Sequence, residues 1–196
     1  MAVDMKQMIA ETLAKLLEHK SVDKITVKEL VDACGISRQG FYYHFQDIME
    51  VIEWITAQAL QNAVDVSLAA PTPKEALTAV LLAMRENEKL IQHLMASQRR
   101  QEVERLLVQA MRAYLEKMVR ARMGALAVKP AELDAAIRFY SYGLVGMLVE
   151  NLGVERDVGE TAEQFLRLLT GEVWGGPPAA GSRPLRRLNH SKPAAN

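Results

Sequence analysis

The chain has 196 residues, of which 49% are hydrophobic and 24% are charged, and its formal net charge at pH 7 is zero. These values are typical of a globular protein with one large core or two small ones, so disorder throughout is excluded. No run of 18 apolar residues is present, and the N-terminal stretch carries charges where a signal peptide is apolar, so we predict a cytoplasmic protein. The single cysteine, Cys34, excludes an intrachain disulfide and is expected to be a small buried side chain.

The predicted elements are helices, because aliphatic residues recur at three- and four-residue steps along most of the chain. We therefore predict an all-α fold. The first helix spans about Asp4 to His19 and packs beneath two short helices. Thr26, followed three residues later by Glu29, forms a capping-box pattern that begins the second helix. Gly35 ends this helix, since glycine adopts the left-handed conformation that a helix exit often needs.

The third predicted helix begins after Ser37, another N-cap candidate, and ends at Phe45. Phe41 and Phe45 lie four residues apart, so both face inward. The other faces carry hydrogen-bonding and aromatic side chains, namely Arg38, Gln39, Gly40, Tyr42, Tyr43 and His44. Arg and Gln can bond to base edges, Gly permits close approach, and Tyr and His suit phosphate oxygens. The pattern favours a DNA-binding helix-turn-helix; the alternative is a helical hairpin whose tyrosines pack on a neighbouring domain.

The stretch T-V-K-E-L-V-D-A-C-G-I-S-R-Q-G-F-Y-Y-H-F-Q-D, residues 26–47, resembles the DNA-binding domain of TetR-family transcriptional regulators. The resemblance implies an N-terminal three-helix helix-turn-helix domain and a C-terminal helical bundle in a TetR-like homodimer. It also implies that Thr26 and Lys28 approach phosphates, that Ser37, Arg38, Gln39, Gly40 and Tyr42 lie in the major groove, and that Tyr43 and His44 grip the DNA backbone. One position departs from the family pattern: Ile48 stands where a lysine often makes another phosphate contact.

The charge of residues 1–60 is the strongest objection to DNA binding. Six Lys and Arg stand against nine Asp and Glu, a net charge of −3. Because non-specific affinity comes from phosphate neutralisation, we expect it to be weak. Specific binding survives if the acidic side chains face away from DNA, as we expect of Glu11, Glu18, Glu50 and Glu53.

Apolar residues continue at helical spacing from Ile48 to about Leu68 and predict a long helix that connects two domains. Trp54 lies off its main apolar stripe and is expected to pack on the second domain. Pro73 begins a new helix, in which a bend is expected near Asn87. The predicted organisation is a DNA-binding domain at 1–47, a connecting helix at 48–68, a C-terminal ligand- or partner-binding and dimerisation domain at 73–174, and a disordered tail at 175–196.

Two long helices, at about 99–126 and 130–153, dominate the predicted C-terminal domain. The candidate ligand-pocket residues on their apolar faces are Met111, Tyr114, Met118, Tyr140 and Met147. The second long helix is apolar nearly all round, so it must be buried on more than one side. We expect it and a last short helix to form a four-helix dimer interface through Tyr140, Gly143, Leu144, Met147, Leu148, Phe165, Leu168 and Leu169. The alternatives are plain core packing for the pocket residues and a monomer with an internal core helix.

Motifs for chemistry are missing from the sequence: there is no Gly-rich phosphate loop, no H-E-x-x-H, no cysteine pair and no G-x-S-x-G. We therefore predict no enzyme, no cofactor and no metal site. The expected partners are a double-stranded DNA operator, a second copy of the chain and an unidentified small-molecule or protein effector, with no membrane.

Three hypotheses for function remain, and the first is preferred. They are a ligand-responsive repressor of a palindromic operator, an activator or co-regulator controlled by a partner protein without a small-molecule pocket, and a helical interaction module that has lost DNA binding. The run F-Y-S-Y-G-L-V-G-M-L-V-E-N-L-G, residues 139–153, is similar to TetR-type regulators related to the dihydroxyacetone-kinase operon activator. That similarity implies that the effector can be a partner protein.

Overall fold

The computed structural model describes residues 4–122 and 129–174, and within these two ranges all regular structure is helical. The α-helices are α1 Met5–Leu17, α2 Val27–Cys34, α3 Arg38–His44, α4 Ile48–Ala69, α5 Pro73–Glu86, α6 Glu88–Met95, α7 Arg100–Arg122, α8 Pro130–Glu150 and α9 Val158–Thr170. Short 3₁₀ turns lie at Val22–Lys24 and Glu172–Trp174. The predicted all-α fold is confirmed, whereas the predicted tail at 175–196 lies outside the described residues.

Capping side chains fix where the helices of the helix-turn-helix begin. Thr26 Oγ1 accepts the backbone N–H of Glu29 at 3.2 Å, and Ser37 Oγ caps α3 in the same way at 3.0 Å. Gly35, at φ 68°, adopts the left-handed conformation between α2 and α3. The Glu29 carboxylate pairs with Lys20, whereas a full capping box would return it to the Thr26 N–H.

The first four helices surround one apolar core. Its fully buried members are Ile9, Leu13 and Leu17 of α1, Leu30 of α2, Phe41 of α3 and Val51 of α4. Leu94 and Met95 of α6 and Val103 of α7 belong to the same cluster. Residues of α6 and α7 therefore complete the core beneath the helix-turn-helix.

Two hydrogen bonds tie this junction together. His93 Nδ1 lies 2.6 Å from the carbonyl oxygen of Leu17, which can only accept, so the imidazole donates. The backbone N–H of Gln98 donates to the Asp23 carboxylate at 3.0 Å. The end of α6 is thus bonded to the end of α1, and the segment between α6 and α7 is bonded to the 3₁₀ turn that follows α1.

The structure also bears on three further expectations from the sequence, which concern Trp54, Cys34 and Asn87. Trp54 packs edge-on against Phe45, with 6.4 Å between ring centroids, and lies among the half-buried residues around the core to which α6 and α7 contribute. Cys34 is half-buried and packs against the core rather than lying fully within it. The bend expected near Asn87 falls there, because α5 ends and α6 begins on either side of this residue.

The C-terminal helices pack in pairs, α4 with α5 and α7, α5 with α9, and α7 with α8. Lys74 of α5 donates to Glu163 of α9 at 2.8 Å, and Arg112 of α7 donates to Asp134 of α8 at 2.6 Å. Within the protomer, α8 has its main contacts with α7, and α9 has its main contacts with α5. In the described part of the chain, no helix is both long and apolar enough to cross a membrane.

Candidate nucleic-acid interface and cavity

The outward face of α3 is created by two buried aromatic residues. Phe41 is 0% exposed and Phe45 is 2% exposed, so both are anchored in the core. Tyr43, by contrast, is 85% exposed, and Arg38 and Gln39 are exposed in the first turn. The helix therefore presents a guanidinium, an amide and a phenol to solvent, which are groups able to bond to bases and phosphates.

Gly40 lies on the same helix with little protein around it. A Cβ built there would meet only Ser37 Oγ, at 3.4 Å, which is ordinary van der Waals contact. Protein packing thus gives no reason for a glycine at this position. Tyr42, 55% exposed, continues the outward face while its ring edge contacts Phe41.

The residues expected to contact phosphates lie at the start of α2 and the end of α3. Thr26 and Lys28 are exposed at the start of α2, and the Thr26 hydroxyl can still donate a proton because its cap uses only an acceptor position. His44 is half-buried, and its ring meets Tyr43 edge-on, with 5.0 Å between centroids.

The position of the missing lysine is occupied by a packed side chain. Ile48 is half-buried against the core at the start of α4. Lys6 of α1, which the sequence reasoning overlooked, places its ammonium 5.3 Å from the centroid of the Phe45 ring, close in sequence to Ile48. A lysine at the start of α1 carries no motif signal, so only the tertiary contact reveals it. Glu50, one of the acidic residues of concern, accepts the N–H of Gln46.

A cavity of about 430 Å³ lies among α4, α5, α6, α7 and α8. Its depth is formed by the buried residues Leu17, Ile52, Leu94, Val103, Tyr114 and Val145. Its exposed lining residues are Ala59, Asn62 and Val66 of α4 and Ala83, Glu86 and Asn87 around the α5–α6 turn, so the mouth opens between these segments. The Tyr114 hydroxyl is hydrogen-bonded to Ser67 at 2.8 Å. The volume is within the range of about 300–1,000 Å³ typical of small-molecule sites.

Two of the five predicted pocket residues line this cavity. Met111 and Tyr114 line the cavity, whereas the lining does not include Met118, Tyr140 or Met147, all three of which are half-buried elsewhere. The sequence identified α7 and α8 but not α4, α5 and α6, which also line the cavity. The lining includes the small residues Ala63 of α4 and Ala79 and Ala83 of α5.

The predicted interface residues also divide. Leu144 and Phe165 are buried inside the protomer, Leu148 lines the cavity, and Tyr140, Met147, Leu168 and Leu169 are half-buried. Of the predicted set, Gly143 is exposed, and a Cβ there would meet nothing within 4 Å. The exposed aromatic residues of α8 are instead Phe139, at 74%, and Tyr142, at 67%. The sequence showed both as part of the second apolar face of α8 but did not select them.

A capped helix-turn-helix with an exposed polar and aromatic third helix, joined through one core to a cavity-bearing helical region, defines a DNA-binding regulator. The family model described as bacterial regulatory proteins of the tetR family matches residues 9–53, and the model described as a transcriptional regulator C-terminal region matches residues 71–171. The chain belongs to the TetR family of transcriptional regulators, as the sequence resemblance indicated.

Several solved structures share the fold at low sequence identity. The dihydroxyacetone kinase operon activator DhaS is 16% identical with a TM-score of 0.68, and the match covers 89% of this chain and 99% of that one. A TetR regulator from Streptococcus agalactiae 2603V is 19% identical with a TM-score of 0.60, covering 84% and 92%. A tetR-family regulator from Streptomyces coelicolor is 16% identical with a TM-score of 0.61, covering 85% and 81%. Among curated proteins none matches the chain in sequence.

Proposed function

We propose that the protein is a cytoplasmic transcriptional repressor that binds a palindromic operator as a homodimer and releases it when an effector occupies the C-terminal cavity. The observation that carries the proposal is the outward face of α3, where Arg38, Gln39 and Tyr43 are exposed because Phe41 and Phe45 are buried. A surface helix without a nucleic-acid partner would have no need of this combination of side chains.

The proposed DNA contacts fall into two groups. Ser37, Arg38, Gln39, Gly40 and Tyr42 enter the major groove, where Arg38 and Gln39 read base edges. Thr26, Lys28, Tyr43 and His44 bind phosphates and fix the register without reading sequence. Lys6 joins the second group and supplies the cation that Ile48 cannot.

The proposed dimer forms through the exposed face of α8. Phe139 and Tyr142 supply apolar area there, and Gly143 and Gly146 have open space where a Cβ would be, so a second helix can approach closely. A two-fold interface uses the same patch on both copies. The dimer then presents two copies of α3 to successive major grooves, with half-site centres separated by roughly 34–36 Å or slightly more.

Control by an effector is proposed from the position of the cavity. Leu17 and Ile52 form part of its depth and also belong to the core beneath α3. An occupant therefore contacts the helices that position the DNA-reading surface. It shifts the operator affinity to the extent that it binds one arrangement of these helices better than another.

A second candidate function is an activator or co-regulator controlled by a partner protein. The fold likeness to DhaS, whose name describes an operon activator, supports it. The two candidates share a DNA footprint and differ in the effector. Release of DNA by a small molecule that occupies the cavity favours the repressor, whereas an unchanged footprint with any such molecule favours partner control.

The test is selection of DNA sequences from a random pool by the purified full chain, followed by affinity measurements on the selected site. Arg38→Ala should relax specificity at one base pair and cost about 1–3 kcal/mol, whereas Tyr43→Phe should weaken all sequences alike. Arg167→Ala, an exposed arginine on α9, is the matched control and should bind like the parent. Failure to enrich any DNA sequence would refute the proposed function. It would favour the third hypothesis, a helical interaction module that has lost DNA binding.

A further inference from the structure

The lining of the cavity is mostly apolar and carries little charge. Among the described residues that line it there is no Lys, Arg or His, and Glu86 is the one acidic residue. Arg85, the basic residue beside it, donates to the carbonyl of Arg156 at 3.1 Å and does not line the cavity. The next basic residue, Lys89, is exposed and is also outside the lining. A buried anion would therefore find no positive partner there.

The polar groups of the lining are concentrated at the mouth. Asn62, Glu86 and Asn87 are exposed at the opening, whereas the deep wall is formed by aliphatic side chains such as Ile52 and Val103. Glu86 is also the last residue of α5, and α6 begins two residues later at Glu88, so the opposite partial charges of these two helix ends offset each other and the Glu86 carboxylate is the charge that remains at the mouth. The hydroxyl of Tyr114, deeper in the cavity, already shares a hydrogen bond with Ser67.

The charge of the lining and the position of its polar groups determine which end of a molecule enters the cavity first. Its apolar end goes in first, because burial of apolar surface is favourable and the depth offers few hydrogen-bonding groups. Its polar end remains at the mouth, beside the carboxylate of Glu86. A negative charge at that end is disfavoured by like-charge repulsion from Glu86, and the described lining residues include no basic side chain to oppose it.

We propose that the cavity binds an amphiphile with no negative charge, whose apolar part fills the depth and whose cationic or hydrogen-bond-donating end lies at Glu86. The inference rests on the proposed function only in naming this molecule as the effector. Carboxylate amphiphiles such as fatty acids are disfavoured at this site. Binding itself can be measured on the free protein, without DNA.

The test compares three probes that share a ten-carbon chain, decyltrimethylammonium, 1-decanol and decanoate, each below its aggregation concentration. Calorimetric titration of the full chain at pH 7.5 should give binding of the first two, with decanoate about tenfold weaker or more. Decanoate binding as tightly as 1-decanol would overturn the inference. So would the absence of binding for all three probes.

Substitutions assign the binding to this site and to this charge. Glu86→Gln should weaken decyltrimethylammonium and leave 1-decanol unchanged; equal affinities of parent and variant for the cation would contradict the role of Glu86. Ala59→Trp should block the mouth and abolish binding of both probes. Gln58→Trp, at an exposed position of α4 outside the lining, is the matched control and should bind normally. If Ala59→Trp still binds, the probes occupy another place and the inference fails.

The outcome is separable from that of the proposed function. Probe binding without enrichment of any DNA sequence would leave the inference standing and refute the regulator. If an operator sequence is enriched but decanoate binds the cavity as tightly as 1-decanol or more tightly, the inference is refuted and the proposed function stands.

Discussion

Gly40 occupies the first turn of α3, where a Cβ would meet only Ser37 Oγ at 3.4 Å. Glycine is less favourable than alanine inside a helix by about 0.8–1.0 kcal/mol. Its presence therefore costs stability that the protein's own packing does not demand. The neighbouring exposed residues, Arg38 and Gln39, suggest the reason, which is close approach of the backbone to DNA.

For this residue we predict opposite effects on stability and binding. Gly40→Ala should stabilise the fold slightly, by up to about 1 kcal/mol, because helix propensity improves. It should also weaken operator binding, since a methyl group occupies the space next to the bases. Urea unfolding and a mobility-shift titration measure the two quantities. Unchanged DNA affinity would remove Gly40 from the contact surface.

Lys6 allows a separate prediction about electrostatics. Lys6→Gln should weaken binding to all sequences similarly and reduce the slope of log affinity against log salt by about 1, as for one lost phosphate contact. Lys15→Gln, an exposed lysine further along α1, is the matched control. If Lys6→Gln and the parent have the same salt slope, Lys6 does not contact a phosphate and does not replace the lysine that is missing at position 48.

At the scale of elements, one exposed ion pair links α5 to α9. The hydrogen bond from Lys74 lowers the pKa of the Glu163 carboxyl below its ordinary value of 4.5, and the same contact raises the pKa of the Lys74 ammonium. A carboxyl with a depressed pKa stabilises the fold above its ordinary pKa and loses that contribution as pH falls through the lower, folded value. Because the pKa of the Lys74 ammonium lies above its ordinary value of 10.5, Lys74 is charged throughout the acidic and neutral range, and the pair is lost there only by protonation of Glu163.

Glu163→Gln should therefore lower the melting temperature slightly at pH 7, and the difference from the parent should vanish well below pH 4.5. The difference should also shrink in 1 M salt, because both side chains are exposed. In a protein that already carries Lys74→Met, Glu163→Gln should cause no change in melting temperature that depends on pH or salt. A difference that persists at low pH would assign it to packing instead.

The capping residues illustrate what can be predicted at this scale. Thr26, Gly35 and Ser37 were identified as helix boundaries from the sequence, and all three act as such. Their effect is local, within three residues of the chain, so no tertiary information was needed. The role of Glu29 was misjudged because its actual partner, Lys20, lies nine residues away beyond a 3₁₀ turn.

At the scale of the whole molecule, the two halves of the chain share one core. Leu94, Met95 and Val103 pack with the residues beneath α3, and His93 is bonded to the end of α1. The helix-turn-helix thus depends on α6 and α7 for its burial. We expect the two halves to unfold together.

Leu94→Ala should destabilise the protein by roughly 2–5 kcal/mol, as for a large core side chain that leaves a cavity. Urea unfolding followed by helical circular dichroism and by Trp54 fluorescence, in a Trp174→Phe background, should give coincident transitions. Leu82→Ala, an exposed leucine of α5, should change stability by no more than about 0.5 kcal/mol. A Trp54 transition unaffected by Leu94→Ala would mean that the domains are independent.

The exposed aromatic face of α8 gives the last prediction. Phe139→Glu places a charge in the proposed interface and should convert the dimer into a monomer at micromolar concentration, as measured by sedimentation. Leu82→Glu, at another exposed apolar position, should remain dimeric. If the parent protein sediments as a monomer, the proposed dimer interface is wrong, and so is the predicted spacing of the two DNA half-sites.

The sequence by itself determined the all-α fold, the ends of the short helices and the outward direction of Arg38, Gln39 and Tyr43, because caps and helical periodicity act between near neighbours in the chain. Only the tertiary structure decided which face of α8 is free, where the cavity lies and that the core is shared. Apolar residues such as Leu144 and Phe139 give the same signal on one helix, yet one is buried and the other exposed. Their surroundings depend on helices distant in sequence, and no local pattern encodes that choice.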